Sequence, residues 1–600
     1  MPAPGTFLPV NRDDMAARGW DACDFVMVSG DAYVDHPSFG AAVISRYLES
    51  LGYRVGVLAQ PAWRQPGSMS ALGRPRLAFL ATAGNLDSMV NRYTANRKPR
   101  SEDVFSPGGQ AGLRPDRALI AYCNAIKRDF PGVPIVLGGL EASLRRLSHY
   151  DYWSDSLRKS VLLDSKADLL VYGMGERAIA AIASGLAEGV GIKTLRDIPG
   201  TVWRTGRDKD IPQEALRLPS HEEQAEDKAA FAQAFALQYR NTDPASASVL
   251  AEPSAAGWCV QNPPAAPLSR EELDRIYALP YVRDSHPMYA AAGGVPALAE
   301  VRFSITVTRG CFGACSFCAL ALHQGRRVVS RSLESVEAEA ILLTRLPGFK
   351  GIIHDLGGPT ANFLSPPCPG QEKKGACPDR RCLAPLPCPA LKPDHTEWLR
   401  MLRAVRAIPG VKRAFVRSGL RFDYLMLDRN APAILEELCL HHVSGQLKIA
   451  PEHVSEKVLR AMGKPGSDIF RAFRAAFREA SLQAGKELHL IPYYISAHPG
   501  STLEDAIELA LALKAEGHAP DQIQDFYPVP GTLSTAMYYC GFDPLNGETL
   551  HIPRGERERR LQRALLHFHK PENEALVREA LRAAGRADLI GKDSGCLVRP

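Results

Sequence analysis

What this sequence lacks narrows its class before any motif is read. No stretch approaches the roughly eighteen consecutive apolar residues of a membrane-spanning helix, and the opening MPAPGTFLPVNRDD has no basic start followed by an apolar run. A membrane or secreted protein is therefore not expected; a cytoplasmic one is. No charge of one sign dominates, because 72 Lys and Arg stand against 66 Asp and Glu in 600 residues, a formal net charge of +6. That balance supports an anionic partner such as RNA only weakly. Short internal repeats and low-complexity tracts are missing too. Paired cysteines are not indicated either: the 13 cysteines are an odd number, and seven of them crowd between Cys311 and Cys388. Such crowding suits metal ligation in a reducing compartment better than a disulfide framework. Cys23, Cys123, Cys259, Cys439, Cys540 and Cys596 are scattered and read as inert.

The chain is too long for one core and should divide into about three domains. Short apolar runs at 24–31, 53–60, 77–83, 134–139 and 168–173 alternate with helical patterns, which predicts a doubly wound parallel sheet over 1–205. Glycines 30, 138, 139, 173 and 175 follow the strand ends, where such sheets put ligand loops or simply turn. Prolines break the pattern over 206–295, which reads as an ordered connector packed by Tyr277, Leu279 and Tyr281. Alternation returns over 296–530, with strands at 303–309, 351–358, 413–419, 445–451, 488–496 and 522–528. Helices near 334–345, 396–407, 431–440, 468–484 and 502–516 separate them. Six units in a row predict a partial (β/α)6 barrel, with chemistry at the strands' C-terminal ends. A helical extension over 531–600 holds a basic amphipathic helix, RGERERRLQRALLHFHK, which reads as a solvated face or as an RNA or partner surface. The fold class is thus α/β throughout, with a small helical end.

The strongest chemical signal follows the first barrel strand. TRGCFGACSFCAL sets Cys311, Cys315 and Cys318 in a Cys-x3-Cys-x2-Cys loop. Three thiolates can each take one iron of a cubane and leave a fourth iron open, whereas a structural zinc wants four closed ligands. A zinc site completed by His323 is the competing reading.

The loop, with the aromatic Phe317 just before its last cysteine, is similar to that of the radical S-adenosylmethionine (SAM) superfamily. The match extends further. The string FSITVTRGCFGACSFCALALHQGRRVVSRSLES, the upstream QNPP and DRIYALPY, and the later GLRFDYL and KIAPEHVSEKVLRAMGKP resemble the YgiQ-type radical SAM proteins over nearly the whole chain. The resemblance implies a [4Fe-4S] cluster on Cys311, Cys315 and Cys318, with SAM chelated at the open iron. It also implies a 5′-deoxyadenosyl radical that abstracts hydrogen from an unassigned substrate, and an electron donor such as flavodoxin or ferredoxin. The catalytic residues are not legible. The competing function is an iron-sulfur protein that binds RNA or senses redox state without turnover.

One departure matters. Where radical SAM barrels usually carry Gly-Gly-Glu, this chain has Gly357, Gly358 and Pro359, so backbone remains for SAM but no glutamate. The other expected SAM contacts are Phe317, Arg417, Ser418 and Glu452, with His453, His498, Pro499 and Gly500 as further candidates. A second set, Cys368, Cys377, Cys382 and Cys388, lies in a proline-rich insertion over 366–390 that no hydrophobic core of its own can hold. Its gaps of eight, four and five residues match neither a zinc ribbon nor a ferredoxin, so zinc and an auxiliary iron-sulfur cluster both stay open. The N-terminal region resembles cobalamin-binding-like domains. Asp-x-His-x-x-Gly is absent, however, and Asp35-His36-Pro37-Ser38-Phe39-Gly40 has the wrong spacing. The sequence therefore argues against cobalamin, and the domain is expected to shape a substrate or interdomain pocket.

Overall fold

The computed structural model describes residues 5–517 and 523–600. Five buried runs become the strands β1 (Phe25–Ser29), β2 (Val55–Ala59), β3 (Ala78–Thr82), β4 (Ile135–Gly138) and β5 (Leu169–Val171). All pair in parallel in the order 2-1-3-4-5. The order reverses between β1 and β3, so the crossover helices leave on opposite faces there and open a crevice beyond the strand ends.

The sheet does not stop at residue 205. β6 (Thr201–Thr205) runs antiparallel to β5, and the region read as a connector adds β7 (Leu216–Arg217), β8 (Leu250–Ser254) and β9 (Gly257–Gln261). Pro253 sits in β8 at no cost to the ladder. The neighbouring β7 reaches only Leu250 and Ala251, so the missing N–H of Pro253 has no partner to lose.

From residue 304 the barrel follows. β10 (Ser304–Thr306) pairs in parallel with β12 (Asp355–Gly357), and β11 (Ile352–Ile353) with β13 (Arg413–Ala414). A parallel bridge from Leu420 to Ile449 reaches β14 (Gln446–Glu452), which leads to β15 (His489–Ser496) and β16 (Ile523–Asp525). Six parallel positions in chain order make an open barrel. Gln522, the first residue of the sixth expected strand, lies outside the described residues. Helices Leu333–Thr344, Thr396–Ala407, Ala431–Glu437, Ser467–Gln483 and Leu503–Ala515 wrap it, and Ile305, Ile353, Leu356, Ala414, Leu447 and Ile449 form the core with Trp398, Leu402 and Phe473.

The C-terminal helix Glu556–Leu566 packs on Leu503–Ala515, and Glu574–Ala583 packs on Glu556–Leu566 within the same apolar cluster. Three arginines of the first of these helices have partners within the protein: Arg557 pairs with Glu579, Arg563 with Asp525 at 3.0 Å, and Arg559 donates to the Tyr152 hydroxyl and the Ala95 carbonyl. Among the described residues no helix is long and apolar enough to cross a membrane.

Buried ion pairs join the two bodies. Glu339, on the helix Leu333–Thr344, receives Arg331 from the barrel and Arg283 from the N-terminal side, all three buried. At the barrel mouth Arg309 pairs with Glu176.

Candidate active site

The cysteine loop is shaped by backbone that only certain residues tolerate. Gly310 turns with φ +84°, and a Cβ there would lie 1.9 Å from the Arg327 carbonyl oxygen. Within the loop Ala314 also adopts a positive φ of 48°, a conformation that surrounding structure must enforce. The enforcing bonds are the Ser316 N–H to the Met462 carbonyl at 2.8 Å and the Ser534 N–H to the Ser316 carbonyl at 2.9 Å. The loop is thus clamped between a barrel helix and the first helix after the barrel.

The three thiols gather at this point. Burial pushes the Cys318 thiol up to about 12, and the neighbouring Cys315 and Cys311 sulfurs add to the shift. Cys311 Sγ is 3.4 Å from Thr360 Oγ1. Arg421 Nη1 donates to Cys315 Sγ at 3.4 Å. That guanidinium is buried, paired with Asp423 at 2.6 Å, and kept charged against desolvation by the same carboxylate. Lys464, also buried, pairs with Glu452 at 3.2 Å and donates to the Ala450 carbonyl. Among the described residues no three Cys, His, Asp or Glu side chains are close enough to share one metal ion. The ligand sulfurs of a cubane each reach a different iron and stand further apart than the donors of one ion. Three thiols with a hydroxyl and a cation on their sulfurs, and no fourth protein ligand, therefore fit an open-iron cluster. His323 is not gathered with these thiols around one ion among the described residues; its Nδ1 contacts the Ser143 hydroxyl at 2.9 Å.

A cavity of about 700 Å³ lies between the two bodies, a size suited to a cofactor and small substrate; it is lined by Arg309 and Leu320 at the two ends of the loop, while Cys311, Cys315, Cys318, Thr360 and Arg421 do not line it. Its sheet side includes Thr82, Gly84, Gly138, Gly139, Gly173 and Gly175, at and after the ends of β3, β4 and β5, with apolar side chains such as Ile44, Leu80, Val136 and Ile179. Its barrel side includes Thr308, Gly357, Gly358, Arg417 and Ser418, and the Arg309–Glu176 pair forms part of the wall. The two glycines hold the barrel side open: a Cβ on Gly357 would meet Ser418 Oγ at 2.2 Å, and one on Gly358 would meet Thr308 Oγ1 at 2.4 Å. Asp355 fixes the third strand's end by accepting from the N–H groups of Arg417 at 2.8 Å and Ser418 at 3.0 Å.

Other residues expected at the site stand elsewhere. Glu452, His453, His498, Pro499 and Gly500 do not line the cavity. His453 accepts from the Ser455 N–H at 3.0 Å, and burial pushes its pKa down to about 4. His498 is held by Ser534 at 2.7 Å, and burial pushes it down to about 3. Both are neutral core groups. Phe317 packs edge-on against His498, 6.2 Å between ring centroids. Glu452 reaches the site only through Lys464. His36 is buried with its Nε2 toward Arg283, 3.4 Å away, and lies off the cavity. Sequence reasoning missed Thr360, Arg421, Asp423 and Lys464. Arg421 and Asp423 stand inside the string GLRFDYL, but nothing local says that its arginine turns toward a cysteine 106 positions earlier.

Arg421 positions a ligand, and its replacement by methionine should lower retention of reconstituted iron about 10–100-fold, the usual cost of removing a partner of a metal ligand. Dialysis against a chelator followed by iron assay checks it, and Arg421→Lys should recover part of the loss.

A barrel whose first strand ends in a three-cysteine loop, roofed by a parallel α/β body, defines a radical SAM architecture. Matches to known proteins agree: residues 305–517 match the Radical SAM superfamily, 7–304 the Radical SAM N-terminal family, and 521–600 a domain of unknown function, DUF3362. A UPF0313 protein of Clostridium botulinum (strain ATCC 19397 / Type A) is 50% identical over 594 residues, covering 99% of this chain and 92% of that one. A UPF0313 protein of Clostridium perfringens (strain 13 / Type A) is 51% identical over 593 residues, covering 99% and 89%. The chain belongs to the UPF0313 family.

Among solved structures, the radical SAM methyltransferase TsrM from Kitasatospora setae with cobalamin and [4Fe-4S] cluster bound is 14% identical, with a TM-score of 0.48 over 94% of this chain and 100% of that one. The cobalamin-dependent SAM radical enzyme OxsB with aqua-cobalamin bound is 10% identical, with a TM-score of 0.48 over 96% and 77%. That proteins with cobalamin bound are among the similar structures overturns the expectation against cobalamin. The missing Asp-x-His-x-x-Gly concerns one motif only, and the cavity's sheet side combines glycines with apolar side chains such as Ile44, Leu80, Val136 and Ile179.

Proposed function

We propose that this protein is a radical SAM enzyme working in the cytoplasm on a small substrate held in the interdomain cavity. The observation that carries the reading is the gathering of Cys311, Cys315 and Cys318 beside Arg421 and Thr360, in a loop whose flanking residues Arg309 and Leu320 line the cavity. A [4Fe-4S] cluster with SAM supplies reductive cleavage to a 5′-deoxyadenosyl radical. The chain's residues do the rest. The three thiols hold the cluster, Arg421 and Thr360 donate to or contact two of its sulfurs, and Gly357 and Gly358 leave room and offer backbone to SAM. The Arg309–Glu176 pair forms part of the cavity wall where the two bodies meet. Were cobalamin to bind, Gly138, Gly139, Gly173 and Gly175 with Ile44 and Ile179 on the sheet side would hold it. Thirteen free thiols fit a reducing compartment, and a flavodoxin or ferredoxin is the expected electron donor. Turnover is favoured over an RNA-binding role because the arginines Arg557, Arg559 and Arg563 of the basic helix are already engaged within the protein.

Anaerobic reconstitution with iron and sulfide, then dithionite and SAM, should release 5′-deoxyadenosine; a loaded protein that releases none would overturn the reading. A separate check is Gly357→Ala. Its Cβ would drive Ser418 into the SAM side of the cavity, and the Kd for SAM, measured by equilibrium dialysis, should rise at least about tenfold, or about 1.4 kcal/mol.

A further inference from the structure

We infer that Cys368, Cys377, Cys382 and Cys388 form a second metal centre that takes an auxiliary [4Fe-4S] cluster. The set uses none of the residues of the proposed SAM site, so the two assignments can fail independently.

Four observations carry it. The thiols converge: Cys368, Cys377 and Cys388 all stand near enough to Cys382 for their charges to act on its thiol, and the Cys388 N–H donates to the Cys382 carbonyl at 2.9 Å. Two of the sulfurs already receive donors, the Gln371 N–H at 3.4 Å on Cys368 and Arg380 Nη1 at 3.7 Å on Cys388, contacts that suit thiolates.

The loop is built rather than loose. Arg326 is 9% exposed and grips the Cys377 and Arg380 carbonyls at 2.8 and 2.7 Å. Asp243 accepts from the Ala376 N–H at 2.7 Å, and Arg240 pairs with Asp379 at 2.9 Å. Yet between residues 368 and 388 the buried apolar side chains are only Ala376, Leu383 and Ala384, too few to hold such a loop without a staple.

Among the described residues these four thiols are not drawn together around a single ion, so the preference for iron-sulfur over zinc rests on their place in the fold. There Cys382 and Cys311 pack against the same small cluster of Phe312, Phe363, Leu383 and Tyr424. Phe312 and Phe363 stack 3.6 Å apart within that cluster.

The test counts metal in the full chain. After anaerobic reconstitution, the variant with Cys311, Cys315 and Cys318 all changed to alanine should keep about four iron and four sulfide per chain, with the Mössbauer signature of a cubane. The converse variant, with Cys368, Cys377, Cys382 and Cys388 changed to serine, should also keep about four, and the unaltered protein about eight. A barrel-loop variant that holds no iron, or one zinc instead, overturns the second centre and leaves the SAM cluster standing. Should that variant not fold, the converse variant decides: iron equal to that of the unaltered protein overturns the inference, and half of it supports the inference. A converse variant left with no iron, while the barrel-loop variant keeps about four, would count against the barrel cluster and leave the second centre standing.

Discussion

Changing Cys315 to alanine is expected to bring 5′-deoxyadenosine release down to the level of cluster-free protein. Each of the three thiols is the sole protein ligand of one iron in the proposed cluster, so no neighbour substitutes for it. Cys315 is also the sulfur that Arg421 contacts at 3.4 Å, and its loss leaves that buried guanidinium facing an empty site. Barrel-site iron should fall from about four per chain to near none. Anaerobic iron assay and mass spectrometry of the nucleoside products read both effects. Unchanged product from the variant would sink the assignment of this loop as the radical-generating site. Arg421→Met provides the contrast: if Arg421 only positions a ligand, its cluster should be lost more readily while product per bound cluster changes far less.

The second large effect concerns stability. Glu339→Gln keeps the size of the side chain and removes the charge that faces both Arg331 and Arg283. Those guanidinium groups are 1% and 3% exposed and have little water to turn to. Breaking such a buried pair costs about 3–5 kcal/mol, because an uncompensated charge remains inside. The barrel's urea midpoint should fall accordingly. Asp208→Asn, which removes the largely exposed pair with Arg217, should scarcely move it.

pH supplies an independent reading of the same triad. Burial alone would raise the Glu339 carboxyl, but Arg331 and Arg283 outweigh it and hold the group below its ordinary value of 4.5. A carboxyl depressed on folding contributes its full stability above its unfolded pKa and loses it as pH falls through the folded one. The difference between the unaltered protein and Glu339→Gln should therefore be largest at neutral pH and shrink below about pH 4.5. A difference that stayed constant down to strongly acidic pH would show that charge is not the cause.

Much of this architecture is written locally. Buried strands such as Phe25–Ser29 and His489–Ser496 are short apolar runs between turn signals, and the helix Thr396–Ala407 carries its apolar residues at helical spacing. Those patterns survive without knowledge of the partner. The hairpin Leu250–Gln261 was harder to see, because prolines at 244, 253, 263 and 264 suggest irregular chain. Only the two-residue length of the neighbouring strand shows why Pro253 is tolerated. At the site, the cysteine spacing was legible and the sulfur partners were not. Arg421, Thr360 and Lys464 reach the loop across long stretches of chain, and periodicity carries no record of such pairings. The histidines after the fourth and fifth strands illustrate the opposite error. His453 and His498 sit at the expected positions in the chain, but their side chains turn into the core instead of the cavity.

The meeting of the two bodies has one more implication. The family boundary at residues 304 and 305 falls inside β10 (Ser304–Thr306), the strand that opens the barrel. Severing the gene there would split that strand and strand Arg283 from Glu339 and Glu176 from Arg309, leaving raw charged faces on both fragments. Neither half is a portable module. Any attempt to graft this barrel onto another leader domain must carry those four side chains with it.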